Sequence, residues 1–105
     1  MSETFLYLTT TGRVTGNPHE IEIWYVDHVD CFYLCAEKRQ NADWVKNIMA
    51  DNTVQFAVAE REQIRDLQAG IATIVTDNDE VQAVSQKFDN KYNWSDGLFV
   101  RICSA

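Results

Sequence analysis

No stretch of this chain approaches the ~20 consecutive apolar residues that a helix needs to cross a bilayer, so no membrane span is expected. Met1-Ser2-Glu3 opens without a basic segment followed by an apolar run, so no secretory leader is expected either. Positive charge is scarce. Nine Lys and Arg stand against sixteen Asp and Glu, for a formal net charge of -7. That balance works against general nucleic-acid binding and against adhesion to anionic lipid. Only Arg13, Lys38 and Arg39 are basic before Lys46.

Metal-ligand spacing is missing as well: there is no C-x-x-C, no H-x-x-x-H and no carboxylate–histidine cluster. Asp77-Asn78-Asp79-Glu80 lacks the glycine and closing glutamate of a calcium loop, and reads as a helix start. Ser2, Ser85, Ser95 and Ser104 all lie outside glycine-flanked strand-to-helix turns, so none is placed as a nucleophile. Three cysteines cannot all pair within one chain. Cys31 and Cys35 lie four apart in a strand-like run, which separates them by ~13 Å at ~3.3 Å per residue, too far for a disulfide. Reduced structural thiols in a cytoplasmic protein are the expectation. His19 and His28 are not obviously near them, so a Cys–His catalytic pair has little support.

What is present is a folded globule: 46% hydrophobic residues with 11% aromatics, in 105 residues, which form one domain spanning 1–105. Thr4 to Thr10 reads as a first strand and His19 to Val26 as a second. In the second, Ile21, Ile23 and Tyr25 share one face, and Glu20, Glu22 and Trp24 the other. Asp27 to Asp30 reads as a tight turn. Cys31 to Glu37 is apolar on both faces, as a central or covered strand would be. A helix is expected over Ala42 to Ala50, capped by Asn41, with Trp44, Ile48, Val45 and Met49 on its apolar face. Thr53 to Ala59 reads as a fourth strand and Arg61 to Thr76 as a long fifth with a bulge or bend at Gly70, while Glu60 to Ala69 also suits a helix by propensity. A second helix runs from Asp77–Glu80 to about Lys91, and Leu98 to Cys103 closes the chain as a strand. Five or six strands on short turns, with two short helices inserted, predict a small antiparallel barrel.

The chemistry gathers in Thr9 to Val26. Gly12 and Gly16 free the backbone, and Asn17-Pro18 aims the outgoing strand. Main-chain N–H groups and the hydroxyls of Thr10, Thr11 and Thr15 beside Arg13 are the parts a phosphate needs. The same composition also suits a solvated hairpin loop. Glu37-Lys38-Arg39-Gln40-Asn41 leads into a helix N-terminus, a setting that favours an anion, with Trp24, Tyr25 and Trp44 as nearby aromatic faces. Trp44 as plain core and Lys38-Arg39 as a solvated turn remain the alternative.

In order, these blocks resemble the deazaflavin-dependent nitroreductase family, within the flavin-binding split β-barrel group that includes pyridoxamine-phosphate-oxidase-like proteins. Thr10, Thr11, Gly12, Arg13, Thr15, Gly16 and Pro18 match its T-T-G-R-x-[ST]-G-x-P block. Asp43, Trp44, Asn47, Ile48, Ala50 and Val54 match its second block, with Asp51-Asn52 in place of Asn-Pro. The resemblance implies an antiparallel split barrel of the FMN-binding type, mainly β with two short helices, forming a homodimer with deazaflavin or FMN between subunits. It implies phosphate contacts from Thr11, Gly12, Arg13, Thr15, Gly16, His19, Lys38, Arg39 and Asn41. Trp24, Tyr25, Ala36 and Trp44 would shape the ring pocket. The implied reaction is hydride transfer to a small electron-poor acceptor, a quinone or nitro compound, with no catalytic side chain singled out. Val14 and His19 stand where many relatives carry basic residues, which brings in FMN, with its single phosphate, beside the deazaflavin. The same departures leave room for a dimeric barrel that binds a flavin or other small ligand without turnover.

Overall fold

The computed structural model describes residues 3–105; Met1 and Ser2, on which the expectation of no leader partly rests, lie outside the described residues. Alternating burial is what builds the sheet. Thr4–Thr11 (β1) turns Leu6 and Leu8 into one core. Thr53–Glu60 (β5) adds Val54 and Phe56 to it, and Leu98–Ser104 (β7) adds Val100 and Ile102. The remaining strands are Pro18–Ile23 (β2), Tyr25–His28 (β3), Cys31–Ala36 (β4) and Gln68–Ile74 (β6). All neighbours run antiparallel, in the order β2-β1-β5-β6-β7-β4-β3. One curled seven-stranded sheet with two helices results: a split barrel, as expected.

The apolar reading of β4 on both faces has a direct cause. Leu34 and Ala36 enter the core shared with Val45 and Ile48 of the helix Asp43–Ala50 (α1). Tyr33 and Cys35 enter a second core, under Val84 and Phe88 of the helix Asn78–Tyr92 (α2). Asp77 caps α2 by accepting the Glu80 N–H at 2.9 Å, which is why the acidic run starts a helix. Side chains of α2 also reach the open edge of β3. Lys87 Nζ donates to Asp27 O at 2.7 Å, and Lys91 Nζ to Tyr25 O at 2.9 Å.

Several expectations are corrected. The second strand is two, because β2 pairs with β1 while β3 pairs with β4, and Trp24 lies between them. Asn41 does not cap α1. It ends a 3-10 turn, Arg39–Asn41, and Ala42 takes the cap position in extended backbone with no side-chain bond. Met49 is 66% exposed, and Asn47 is the residue turned inward. Asn47 donates to Thr10 Oγ1 at 3.1 Å and accepts from Arg13, so the helix register follows this polar anchor.

The long fifth strand shrinks to β6, because residues 61–67 fold as a loop that lays Arg61 over the Phe5 ring and Arg65 over the Tyr7 ring. Gly70 is not bulged: it pairs regularly with Val54 and Ser104, and the Phe56 ring sits 2.8 Å from where its Cβ would be. The thiols are not all reduced. Cys31 and Cys103 form a disulfide, since β4 and β7 run antiparallel with Phe32 opposite Ile102, which brings the next pair's Cα atoms to 4.7 Å. Spacing within one strand says nothing of a cross-strand partner 72 residues away.

Candidate functional site

The sheet is split between β2 and β3, and a groove of about 610 Å³ opens there, lined by the ends of β2 and β4. Its walls carry three indoles, Trp24, Trp44 and Trp94. Ala36 and Cys35 come from the end of β4, and the small Ala36 leaves room. Gly97 is what lets the chain pass behind them. A Cβ there would meet Ala36 O and Cys35 Sγ, each at 2.6 Å. Glu37 and Lys38 stand at the same groove, beside Ala42 and Asp43 at the start of α1.

Charge in the groove is mostly paired. Glu22 accepts from Arg61 at 2.9 and 3.0 Å and from the Tyr7 hydroxyl at 2.7 Å. The Arg61 bonds, and then the Tyr7 bond, hold its carboxyl below the ordinary carboxylate value. Arg13 donates to Asn47 Oδ1 at 2.8 Å and pairs with Asp43 at 3.3 Å. Lys38 and Glu37 make no ion pair among the described residues. Burial pushes the Cys35 thiol up to about 12, so it lines the groove as a neutral group.

A second cavity, about 450 Å³, follows the glycine loop and is lined by Gly12, Arg13, Thr15 and His19. Asp43 and Trp44 line both cavities, so the loop and the start of α1 meet across one residue pair. The loop is closed by Gly12 N–H to Asn17 O at 2.8 Å and Gly16 N–H to Gly12 O at 2.9 Å, with Gly16 at φ 77. Its shape is therefore internal to it, and Arg13 ties it to α1.

Of the residues named from the sequence, Trp24, Ala36, Lys38 and Trp44 line the groove, and Gly12, Arg13, Thr15 and His19 line the neighbouring cavity. Thr11 and Gly16 line a smaller depression of about 340 Å³ together with Pro18 and the start of β5. Three lie elsewhere. Tyr25 packs on the barrel core, edge-on to Phe32, with its hydroxyl 2.7 Å from Thr4 Oγ1. Arg39, at φ 53, pairs with Asp96 at 3.0 Å, and Asn41 is exposed in the 3-10 turn. Trp94 and the Glu22–Arg61 pair were not foreseen. Both reach the groove through tertiary contacts that no local pattern carries. Asn47 belonged to a recognised block, but its buried polar role shows only in the packing.

A flat tricyclic ring with one phosphate fits this arrangement. The groove volume falls within the ~300–1,000 Å³ usual for small-ligand sites. Aromatic walls suit the ring. Lys38, next to a helix start that no side chain caps, suits an anion. Among the described residues no His, Cys, Asp or Glu cluster could hold a metal ion, and no helix is long and apolar enough to cross a membrane.

Comparison with known proteins bears on the family and the fold. The sequence model of the family described as F420H(2)-dependent quinone reductase matches residues 1–97. Among solved structures the chain is similar to HutZ, a heme storage protein from Vibrio cholerae, with a TM-score of 0.75 at 13% identity, covering 96% of this chain and 81% of that one. It is also similar to a candidate pyridoxamine 5'-phosphate oxidase from Listeria innocua (TM-score 0.74, 9% identity, 95% and 82% covered). A candidate 5-nitroimidazole antibiotic resistance protein from Bacteroides thetaiotaomicron is similar as well (TM-score 0.72, 11% identity, 95% and 72% covered). At these identities the likeness is one of fold alone. No curated protein matches the sequence.

Proposed function

Because the chain belongs to the F420H(2)-dependent quinone reductase family, we propose that it is a deazaflavin-dependent oxidoreductase passing hydride to a small electron-poor acceptor, a quinone or a nitro compound. The reduced deazaflavin supplies the hydride, and the protein supplies position, exclusion of water and electrostatics. Trp24, Ala36 and Trp44 would flank the ring. Lys38, with the open N–H groups at the start of α1, would meet the phosphate. Arg13, Thr15 and His19, with Gly12, would take the part of the tail that passes Trp44, with Thr11 and Gly16 shaping that loop. Arg39, Asn41 and Tyr25 would act from behind, through the turn and the core. The observation that carries the reading is the groove itself: three indoles and Lys38, a lysine without an ion pair among the described residues, at the split of the barrel.

The tail loop favours a second possibility for the cofactor. Arg13 is its only Lys or Arg, and Asp43 already engages it, so a ligand with one phosphate, FMN, competes with a more highly charged tail. The same pairing favours, as the alternative function, a barrel that binds a flavin without turnover. A homodimer with the groove completed at its interface, and a cytoplasmic location, belong to the proposal. The Cys31–Cys103 bond weighs against that location, because such bonds persist chiefly in oxidising compartments.

The test is thermal unfolding with saturating oxidised deazaflavin and, separately, with FMN, followed by turnover of the reduced form with a simple quinone. A ligand that binds only the native state raises the melting temperature. We expect oxidised deazaflavin to give the larger shift, and the reduced form to be reoxidised as added quinone is reduced to hydroquinone. No shift with either would end the reading, and a shift without turnover would select the non-catalytic barrel.

A further inference from the structure

Trp24 lines the groove from the break between the two ends of the sheet, in neither strand. It falls between β2, which ends on β1, and β3, which begins on β4. The residue is 40% exposed, and such a side chain on a strand break would ordinarily sample several rotamers. Here one partner takes a face of it. The Tyr92 ring lies parallel to the Trp24 indole, 2° between planes and 4.4 Å between centroids.

We infer that Tyr92, in the last turn of α2, is a positioning residue for the groove, fixing the Trp24 wall against which a flat cofactor ring would lie. This rests on the function proposed above. Two independent contacts make Tyr92 suited to the task. Its hydroxyl donates to Tyr25 O at 2.9 Å and accepts from Tyr25 N–H at 3.2 Å, so it clamps the backbone one residue beyond Trp24. Its ring also leans on Phe88 at 5.7 Å, and Phe88 in turn stacks on Phe99 at 5.6 Å. Phe88 is fully buried. A continuous run of rings therefore connects the groove wall to the core under α2. Asn93, at φ 56, then ends the helix in the left-handed region, and Trp94 follows at 6.4 Å, edge-on to the same indole. The C-terminal turn of α2 thus sets two of the three groove indoles, though the helix itself lies outside the groove.

The experiment compares Tyr92→Phe, which keeps the ring, Tyr92→Leu, which loses ring and hydroxyl, and Lys87→Ala, which loosens β3 further along the same helix. Affinity for oxidised deazaflavin is read by quenching of tryptophan fluorescence, and stability by melting temperature. An aromatic stack accounts for about a twofold to tenfold effect. Tyr92→Leu should weaken affinity by about that much and raise the apparent KM for the cofactor, with kcat nearly unchanged. Tyr92→Phe should lose less, and Lys87→Ala should lower the melting temperature without changing affinity. Wild-type affinity in Tyr92→Leu would overturn the inference, as would an equal affinity loss in Lys87→Ala. If Tyr92→Leu does not fold, full loss of affinity in folded Tyr92→Phe would also overturn it, because the retained ring would then count for nothing. Failure of the wild type to bind deazaflavin would instead remove the function proposed above, and this inference with it.

Discussion

Cys35 is a thiol that faces a cavity and yet is unreactive by its setting. Burial raises its pKa to about 12, whereas an unfolded thiol ionises near ~8.5. The folded value is the higher one, so the associated stability is fully present below ~8.5 and is lost as pH climbs toward 12. Urea midpoints measured from pH 8 to 11 should therefore fall more steeply for the wild type than for Cys35→Ala. Parallel curves would contradict the assignment. In the same pH 8 sample, iodoacetamide should leave Cys35 unmodified in the native protein, since the thiolate is the reacting form. The groove is then lined by a neutral sulfur, compatible with an uncharged ring beside it. Polarity at the single-residue scale is set instead by Asn47, whose contacts to Thr10 and Arg13 lock the glycine loop to α1.

Elements carry a different lesson. Periodicity exposed most of them because the physics behind it is local. Phe32, Leu34 and Ala36 against Tyr33 and Cys35 separate cleanly into two cores, and Asp77 caps the helix it was expected to start. The turn after β3 was legible in position but not in conformation. Val29 and Asp30 both take positive φ, 49° and 64°, which a two-residue hairpin requires and a β-branched side chain resists. Val29 is 77% exposed and so gains little packing in return. Val29→Gly should stabilise the protein by about 1 kcal/mol, read as a higher urea midpoint at unchanged slope. A lower midpoint would show that Val29 makes contacts that outweigh the strain. What was not legible shares one cause. The break at Trp24, the loop over Phe5 and Tyr7, and the Cys31–Cys103 pair depend on which strand lies alongside, and that is decided far away in the chain. The candidate site divided the same way. The glycine loop and the tryptophan helix were named from local motifs, while Trp94 and the Glu22–Arg61 pair came only with the tertiary fold.

At the scale of the molecule, the disulfide joins two neighbouring strands, β4 and β7, across 72 residues. Closing a loop of that length in the unfolded chain is worth on the order of 4 kcal/mol in the chain-entropy model. The double variant Cys31→Ser with Cys103→Ser should therefore unfold at a clearly lower urea concentration than oxidised wild type, and wild type treated with reductant should match it. Identical curves for all three would mean that the pair is not bonded in the protein. Strand order has a subtler effect. β2 and β3 are consecutive along the chain and yet occupy the two ends of the sheet. The ring is therefore closed by covalent chain at Trp24, where hydrogen bonds leave it open. That residue serves as the pin of a clasp, and the Tyr92 ring laid flat on it ties the pin to α2.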